Sequence, residues 1–174
     1  RVTSYCLYMY PINPYKFYGC PEKDFHRELW ERLLNKNKSI VNISKMFNLS
    51  IRQLYTWKES RNNYPLTTLI NLSKSVNLTI KLDYIKTRKN SDIIKKPKIL
   101  FEEIPEIIEF FGHLLHDGGI DNRYGVHYTT NSQKFAERFK VIVEHCFGEI
   151  ECDTRVEKNK ITLYYPVVLG YLLT

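Results

Sequence analysis

Apolar residues recur at three- and four-residue spacing through Phe25, Leu29, Trp30, Leu33 and Leu34, which predicts an amphipathic helix. Two shorter helical patterns follow over residues 43–47 and 51–57, and Pro65 opens a fourth, with Leu66, Leu69, Ile70 and Leu72 apolar. Proline suits a helix's first turn. Residues 24–80 therefore read as a compact all-α bundle. The stretch before them, residues 1–23, is Tyr-rich and carries Pro11, Pro14 and Pro21, the texture of an extended arm. After the bundle, residues 81–104 begin strand-like with KLDYI and run on as KTRKNSDIIKKPK, a basic linker. From residue 105 the pattern mixes. A helix over 106–116 precedes two short strands within 119–130, a helix over 132–147, strands near 149–156 and 160–165, and a further helix starting at Pro166. In the 132–147 helix Phe135, Phe139, Ile142, Val143 and Cys146 share a face, and Gly148 supplies a stop. The expected fold class is α+β: a small all-α domain, then an α-β-β-α-β-β domain over residues 105–174.

The 174 residues, 43% hydrophobic and 14% aromatic, suffice for one domain or two small ones with real cores, which excludes disorder as the global state. No apolar run reaches the roughly 18 to 20 residues of a membrane span. The opening RVTSYCLYMYPINPY lacks a signal peptide's apolar core, and Cys6, Cys20, Cys146 and Cys152 form no C-x-x-C pair. Free thiols and an intracellular, cytoplasmic protein are the expectation. Because the chain opens on Arg1 and stops at Thr174 inside an apolar run, it reads as a piece of something longer.

Charge changes the picture more. Upstream of Pro105 there are 19 basic and 9 acidic side chains, a net of +10; downstream there are 7 and 10, a net of −3. The cationic half points to a polyanionic partner, and the segment NISKMFNLSIRQLYTWKES, residues 42–60, shows how one is read. Two short helices at a steep angle need a tight turn with one left-handed residue. Asn48 tolerates that conformation, Ser50 can cap the second helix, and Ile43, Phe47, Leu49, Leu54 and Trp57 fill inner positions. Ser50, Arg52, Gln53, Tyr55, Thr56 and Lys58 then point outward, a set suited to base edges and phosphates. With the downstream NNYPLTTLINLSKSVNLTI, the stretch resembles a phage-repressor type helix-turn-helix domain. Double-stranded DNA is the partner this implies. Lys86, Arg88, Lys89, Lys95 and Lys96 of the linker are expected phosphate contacts.

The second constellation is EIIEFFGHLLHDGGIDNRYGVHYTTNSQKFAERFKVIVEHCFG, residues 106–148. An apolar helix ends on Asp117, followed by Gly118, which stops it, and Gly119. An acid at a helix C-terminus opposes the macrodipole, so Asp117 is not there to stabilise its helix. The arrangement resembles the LAGLIDADG homing endonuclease family. On that nine-residue pattern residues 110–118 read FFGHLLHDG, with Gly112, Asp117 and Gly118 at characteristic positions, and the element order and the TTNSQKFAERF and HCFGEI helix ends agree. The resemblance implies a helix paired with its copy, Asp117 as ligand of Mg²⁺ or another divalent cation, and DNA cleavage. A homodimer through the helix of residues 110–117, or a missing second repeat, would supply the second acid. Phe111 and His116 stand where the family takes small residues. His113 and His116 read as packing or surface rather than as a transition-metal pair.

Along the proposed strands, Arg123, His127 and Thr129 share a face and so do Lys160, Thr162 and Tyr164. Arg123, His127 and Lys160 are candidate DNA contacts, and Lys160 is the candidate catalytic base-side cation that the resemblance asks for near the metal. The strand near 149–156 is less welcoming to phosphate, because Glu149, Glu151 and Asp153 alternate onto one face with Arg155. The expected function is a Mg²⁺-dependent DNA endonuclease guided by a helix-turn-helix. The alternatives are a regulator that keeps the endonuclease fold without cleavage, and an endonuclease-bearing intein segment.

Overall fold

The structure, a computed structural model, describes residues 17–87, 92–98, 105–121, 123 and 125–173. The chain divides into two compact units, one over Pro14–Arg88 and one containing Lys89–Thr174.

In the first unit the elements are β1 (Phe17–Pro21), α1 (Lys23–Asn37), α2 (Ile40–Phe47), α3 (Ile51–Lys58), β2 (Tyr64–Pro65), α4 (Leu66–Ser75) and β3 (Leu82–Thr87). The predicted helices are present, and Phe25, Leu29, Trp30 and Leu33 are buried on α1. They are joined by strands, of which the sequence showed only the strand-like KLDYI at the start of residues 81–104. β1 lies antiparallel to both β2 and β3, with Gly19 opposite Tyr64 on one side and Ile85 on the other. Three expectations are corrected. The unit is mixed α+β and not all-α; residues 17–21 are a paired strand and not part of an arm; residues 82–87 are a strand with Leu82 and Ile85 buried and not a linker. Pro65 caps α4 from outside its first turn. Leu54, Leu66, Leu69 and Leu72 are fully buried with Phe17 and Ile43, each contributing about 1.5–3 kcal/mol on removal from water.

The second unit contains β4 (Ile93–Lys95), α5 (Pro105–Asp117), β5 (Gly118–Ile120), β6 (Val126–Thr130), α6 (Gln133–Phe147), β7 (Asp153–Glu157), β8 (Lys160–Tyr165) and α7 (Val167–Leu173). From residue 105 onward this is the expected α-β-β-α-β-β order with a following helix. The sheet is antiparallel in the order β5-β6-β8-β7. Alternation assigns its faces: Val126, Tyr128, Ile161, Leu163 and Tyr165 are buried, while His127, Thr129, Lys160, Thr162 and Tyr164 face the other way. The buried face meets the helices through stacked rings, Tyr128 on Phe139 at 4.3 Å and Phe110 on Phe139 at 5.5 Å between centroids. One face of the sheet is thus covered and the other open.

Two details of this unit depart from expectation. Strand β7 begins at Asp153 rather than 149 and is exposed along its whole length, as an edge strand met from α6 by Lys140, whose Nζ donates to Thr154 Oγ1 at 2.9 Å. On α6 Phe135 is exposed, because Ala136, the chain's single alanine, takes the inward position one residue on. Gly148 does stop α6, at φ 108°, and a Cβ there would stand 2.6 Å from the Lys95 carbonyl. That close approach explains a further correction. Residues 95–98 are not free linker, since Lys95 and Glu149 exchange backbone hydrogen bonds at 3.0 and 2.9 Å and Lys98 N donates to Phe147 O.

Candidate nucleic-acid interface

The turn between α2 and α3 is built as its residues dictate. Asn48 adopts φ 51°, ψ 47°, the left-handed region, and its N–H donates to Ser44 O. Ser50 then caps α3, its hydroxyl accepting from Gln53 N and donating to Gln53 Oε1, both at 3.1 Å. With the turn closed, Leu54 and Trp57 are driven inward and Arg52, Gln53, Tyr55 and Lys58 outward; Thr56 is half-buried, its hydroxyl spent on Gln53 O at 2.8 Å. Neither Arg52 nor Lys58 is engaged by a carboxylate among the described residues, whereas Arg27, Arg32 and Arg61 each pair with one. The outer face of α3 is therefore cationic and amide-bearing, with Tyr55 and Ile51 as exposed apolar surface.

The linker cations fare differently. Lys86 is half-buried within β3, Lys95 is exposed, and Lys96 is ion-paired with Glu149, whose carboxyl it holds below the usual range. Arg88 and Lys89 lie outside the described residues. On the sheet's open face the register sets Asp153 opposite Tyr164 and His127, Arg155 opposite Thr162 and Thr129, and Glu157 opposite Lys160. Arg155 lies over the Tyr164 ring, 4.8 Å from its centroid. Two acids and two bases share this face. Of the three expected carboxylates only Asp153 lies on the strand; Glu149, bound to Lys96, and Glu151 precede it, and the three meet in an adjoining recess. That recess, of about 850 Å³, collects Asp92, Glu144, Glu149, Glu151 and Asp153 against Lys95, a lining that repels phosphate.

Arg123 is not on a strand with His127. It lies in the β5–β6 turn, where Asp121 Oδ1 accepts from the N–H groups of Arg123 at 2.7 Å and Gly125 at 2.8 Å. Those backbone donors, Gly125 first, hold the Asp121 carboxyl below its usual range. His127 does face out, its ring lying over Gly119, where a Cβ would stand 3.1 Å from Cε1.

Asp117 ends α5 exposed, and among the described residues no hydrogen bond or ion pair holds its carboxylate. The helix ends at Asp117, as expected, and Gly118 opens β5 without a left-handed conformation. It is required by closeness, since a Cβ would meet His127 O at 2.7 Å and Leu114 Cα at 3.1 Å. Lys160 sits at the β7–β8 hairpin opposite Glu157. Strand spacing and rise put its backbone on the order of 12 Å from the level of Asp117, two strands away. His113 packs against Phe139 and its Nδ1 lies 3.1 Å from the Tyr128 hydroxyl, while His116 is exposed. Among the described residues no group of three His, Cys, Asp or Glu side chains gathers for a metal, and no helix is long and apolar enough to cross a membrane. Cys20, Cys146 and Cys152 are free thiols.

What the sequence reading missed is polar and internal. His26 and Tyr64 converge on the Trp57 carbonyl at the end of α3, and Trp30 donates to Tyr64 Oη, partners up to 38 residues apart that no local pattern joins. A search of protein-family models finds no match to this chain, and neither does a search of the curated proteins.

Proposed function

We propose that the chain binds double-stranded DNA with α3 as its reading helix, and that the second unit is a nuclease-like domain that works with Mg²⁺ or a similar divalent cation. The observation that carries the first half is the closed turn at Asn48, which caps α3 and leaves Arg52, Gln53 and Lys58 exposed and unpaired by acids. Arginine and glutamine are the side chains that match guanine and adenine edges by paired hydrogen bonds. The net +10 upstream of Pro105 supplies sequence-blind attraction to phosphate.

The second half rests on Asp117 and on the resemblance of its helix. A hard divalent cation takes oxygen ligands, and an exposed, unclaimed carboxylate suits one. A cation held there supplies charge stabilisation to an attacked phosphate and a water of lowered pKa. The described residues bring one such acid, so the site needs a second, from another copy of this chain or from a second repeat. Ile108, Gly112 and Leu115, all exposed at i, i+4 and i+7 on α5, form the face through which the copies would pair. Lys160, at its distance, serves DNA backbone rather than the metal.

A second reading, a regulator that binds without cutting, is favoured by bulky Phe111 and exposed His116 where closely paired helices take small residues. Incubation of target-bearing duplex with the chain and Mg²⁺, beside Asp117→Asn, separates the two. Cleavage by the wild type and none by the variant supports the nuclease; binding without cleavage by either supports the regulator. Failure of Arg52→Ala with Gln53→Ala to alter sequence preference would remove α3 from the reading surface.

A further inference from the structure

We infer that His26 is a positioning residue for DNA reading: its ring, with the Tyr64 hydroxyl, clamps the Trp57 carbonyl in the last turn of α3 and so fixes the rotation and axial position of Arg52 and Gln53. The inference rests on the DNA-reading role proposed for α3.

The Trp57 carbonyl lies in the last turn of α3, where carbonyls have no helical partner. Three donors meet it: His26 Nε2 at 2.9 Å, Tyr64 Oη at 3.2 Å and Ser60 N at 2.9 Å. A carbonyl only accepts, so the bond between His26 and Trp57 uses a proton on Nε2, which also lies 2.9 Å from Tyr64 Oη and 3.2 Å from the Trp30 Nε1 donor, while Nδ1 faces Ser60 Oγ at 3.5 Å. Trp30 Nε1 only donates, and its contact with Tyr64 Oη at 2.9 Å leaves the phenol's own proton for Trp57 O. Burial pushes the Tyr64 phenol far up, so it stays a neutral donor across the working range. The Tyr64 ring also stacks on Trp57 at 5.1 Å, 23° from parallel.

Apolar packing of Leu54 and Trp57 is non-directional and tolerates small slides and rotations of a helix. Hydrogen bonds from α1 and β2 to one carbonyl do not. Base-edge contacts need placement within roughly 0.5 Å and 10–20°. Arg52 and Gln53 lie five and four residues before Trp57 on the same short helix, so the clamp acts on them directly. His26, on α1, sets specificity without being on the reading face.

The test uses the full chain and a duplex selected by the wild type from a random pool. His26→Leu removes the donor; His26→Gln retains one; Tyr64→Phe keeps the stacked ring and removes the hydroxyl. In His26→Leu the ratio of affinities for selected over random duplex should fall about tenfold, the scale of one lost paired base contact. Affinity for the random duplex should stay unchanged, and the backbone amide resonances of residues 51–58 should shift without DNA. His26→Gln should restore most of the ratio. If His26→Leu fails to fold, Tyr64→Phe should show the same fall. An unchanged ratio and unchanged resonances in a folded His26→Leu or Tyr64→Phe protein would overturn the inference. A wild type that selects no sequence overturns the role of α3 itself, a separate result.

Discussion

Ser44 and Leu49 hold each other twice across the turn before α3: Leu49 N donates to Ser44 O at 3.0 Å, and Ser44 Oγ donates to Leu49 O at 2.6 Å. Asn48, left-handed between them, is the residue that brings the two together. A β-branched side chain there should cost about 1–2 kcal/mol, the penalty of the left-handed region. Asn48→Val should therefore lower the unfolding free energy of the first unit by that amount, Ser44→Ala by about 1 kcal/mol, and Asn48→Gly by little or nothing. Urea titration of the whole chain, followed through Trp30 and Trp57 fluorescence, reads all three. Equal midpoints for Asn48→Val and wild type would mean the turn does not demand its conformation.

The two glycines of the α5 segment should respond in opposite ways. At Gly118 an added methyl meets backbone on two sides, His127 O and Leu114 Cα, so Gly118→Ala should destabilise the second unit by about 1–3 kcal/mol. At Gly112 nothing stands within 4 Å, and Gly112→Ala should stabilise the helix by roughly 0.8–1 kcal/mol. The proposed pairing of α5 with its copy adds a second measurement. Gly112→Glu should keep the helical circular dichroism and shift sedimentation from dimer to monomer. A wild type that sediments as a monomer at high micromolar concentration would remove the pairing.

These contrasts also mark how far the sequence could be read. The turn was legible because its determinants are adjacent: Asn48, Ser50 and the inward pair Leu54 and Trp57 lie within ten residues. Strand β1 was not, because FYGCP is short and its partner, Leu82–Thr87, comes more than sixty residues later. Phe135 misled by sitting at helical spacing in an apolar stripe, although the small Ala136 fits the inward position and the ring does not. His26 carries no local signal, because its meaning depends on a carbonyl 31 residues away. The end of α5 at Asp117 was legible from the two glycines that follow, but the close approach of β6 to Gly118 leaves no trace in the local pattern.

Glu109 and Arg138 give the second unit an acid-sensitive link between α5 and α6. Arg138 Nε and a terminal nitrogen donate to the two Glu109 oxygens at 2.9 and 2.5 Å, and this fork holds the carboxyl below its usual range. A carboxyl whose folded pKa lies below its unfolded one stabilises above the unfolded value, and the contribution is lost as pH falls through the folded one. The second unit should therefore lose stability as pH drops below the ordinary glutamate range. In Arg138→Met or Glu109→Gln that slope should flatten, leaving the part set by Asp121 and Glu149, whose carboxyls are lowered too. Both side chains of the pair are more than a third exposed, so added salt should shrink the difference between variant and wild type. Thermal melts across pH at low and high salt measure this, and parallel pH profiles for wild type and Arg138→Met would deny the link any role.

The uneven charge of the chain makes the path of DNA measurable. Counterion release gives each neutralised phosphate a contribution of about 0.9 to the slope of log affinity against log salt. Arg52 and Lys58 lie exposed on α3 with no acid holding them, whereas Arg155 rests on Tyr164 and Lys160 stands opposite Glu157. In the full chain, Arg52→Ala with Lys58→Ala should lower the slope for random duplex by about 1.8. Arg155→Ala with Lys160→Ala should lower it by less than half as much, because Asp153 and Glu157 already cancel those charges at the sheet surface. Asp153→Asn with Glu157→Gln should raise affinity for the same duplex, by unmasking the two bases. Fluorescence anisotropy between roughly 50 and 200 mM salt resolves differences of this size. Equal losses from the two basic pairs would extend the phosphate path over the open sheet, and a loss from the Arg155 and Lys160 pair alone would move it off α3 altogether.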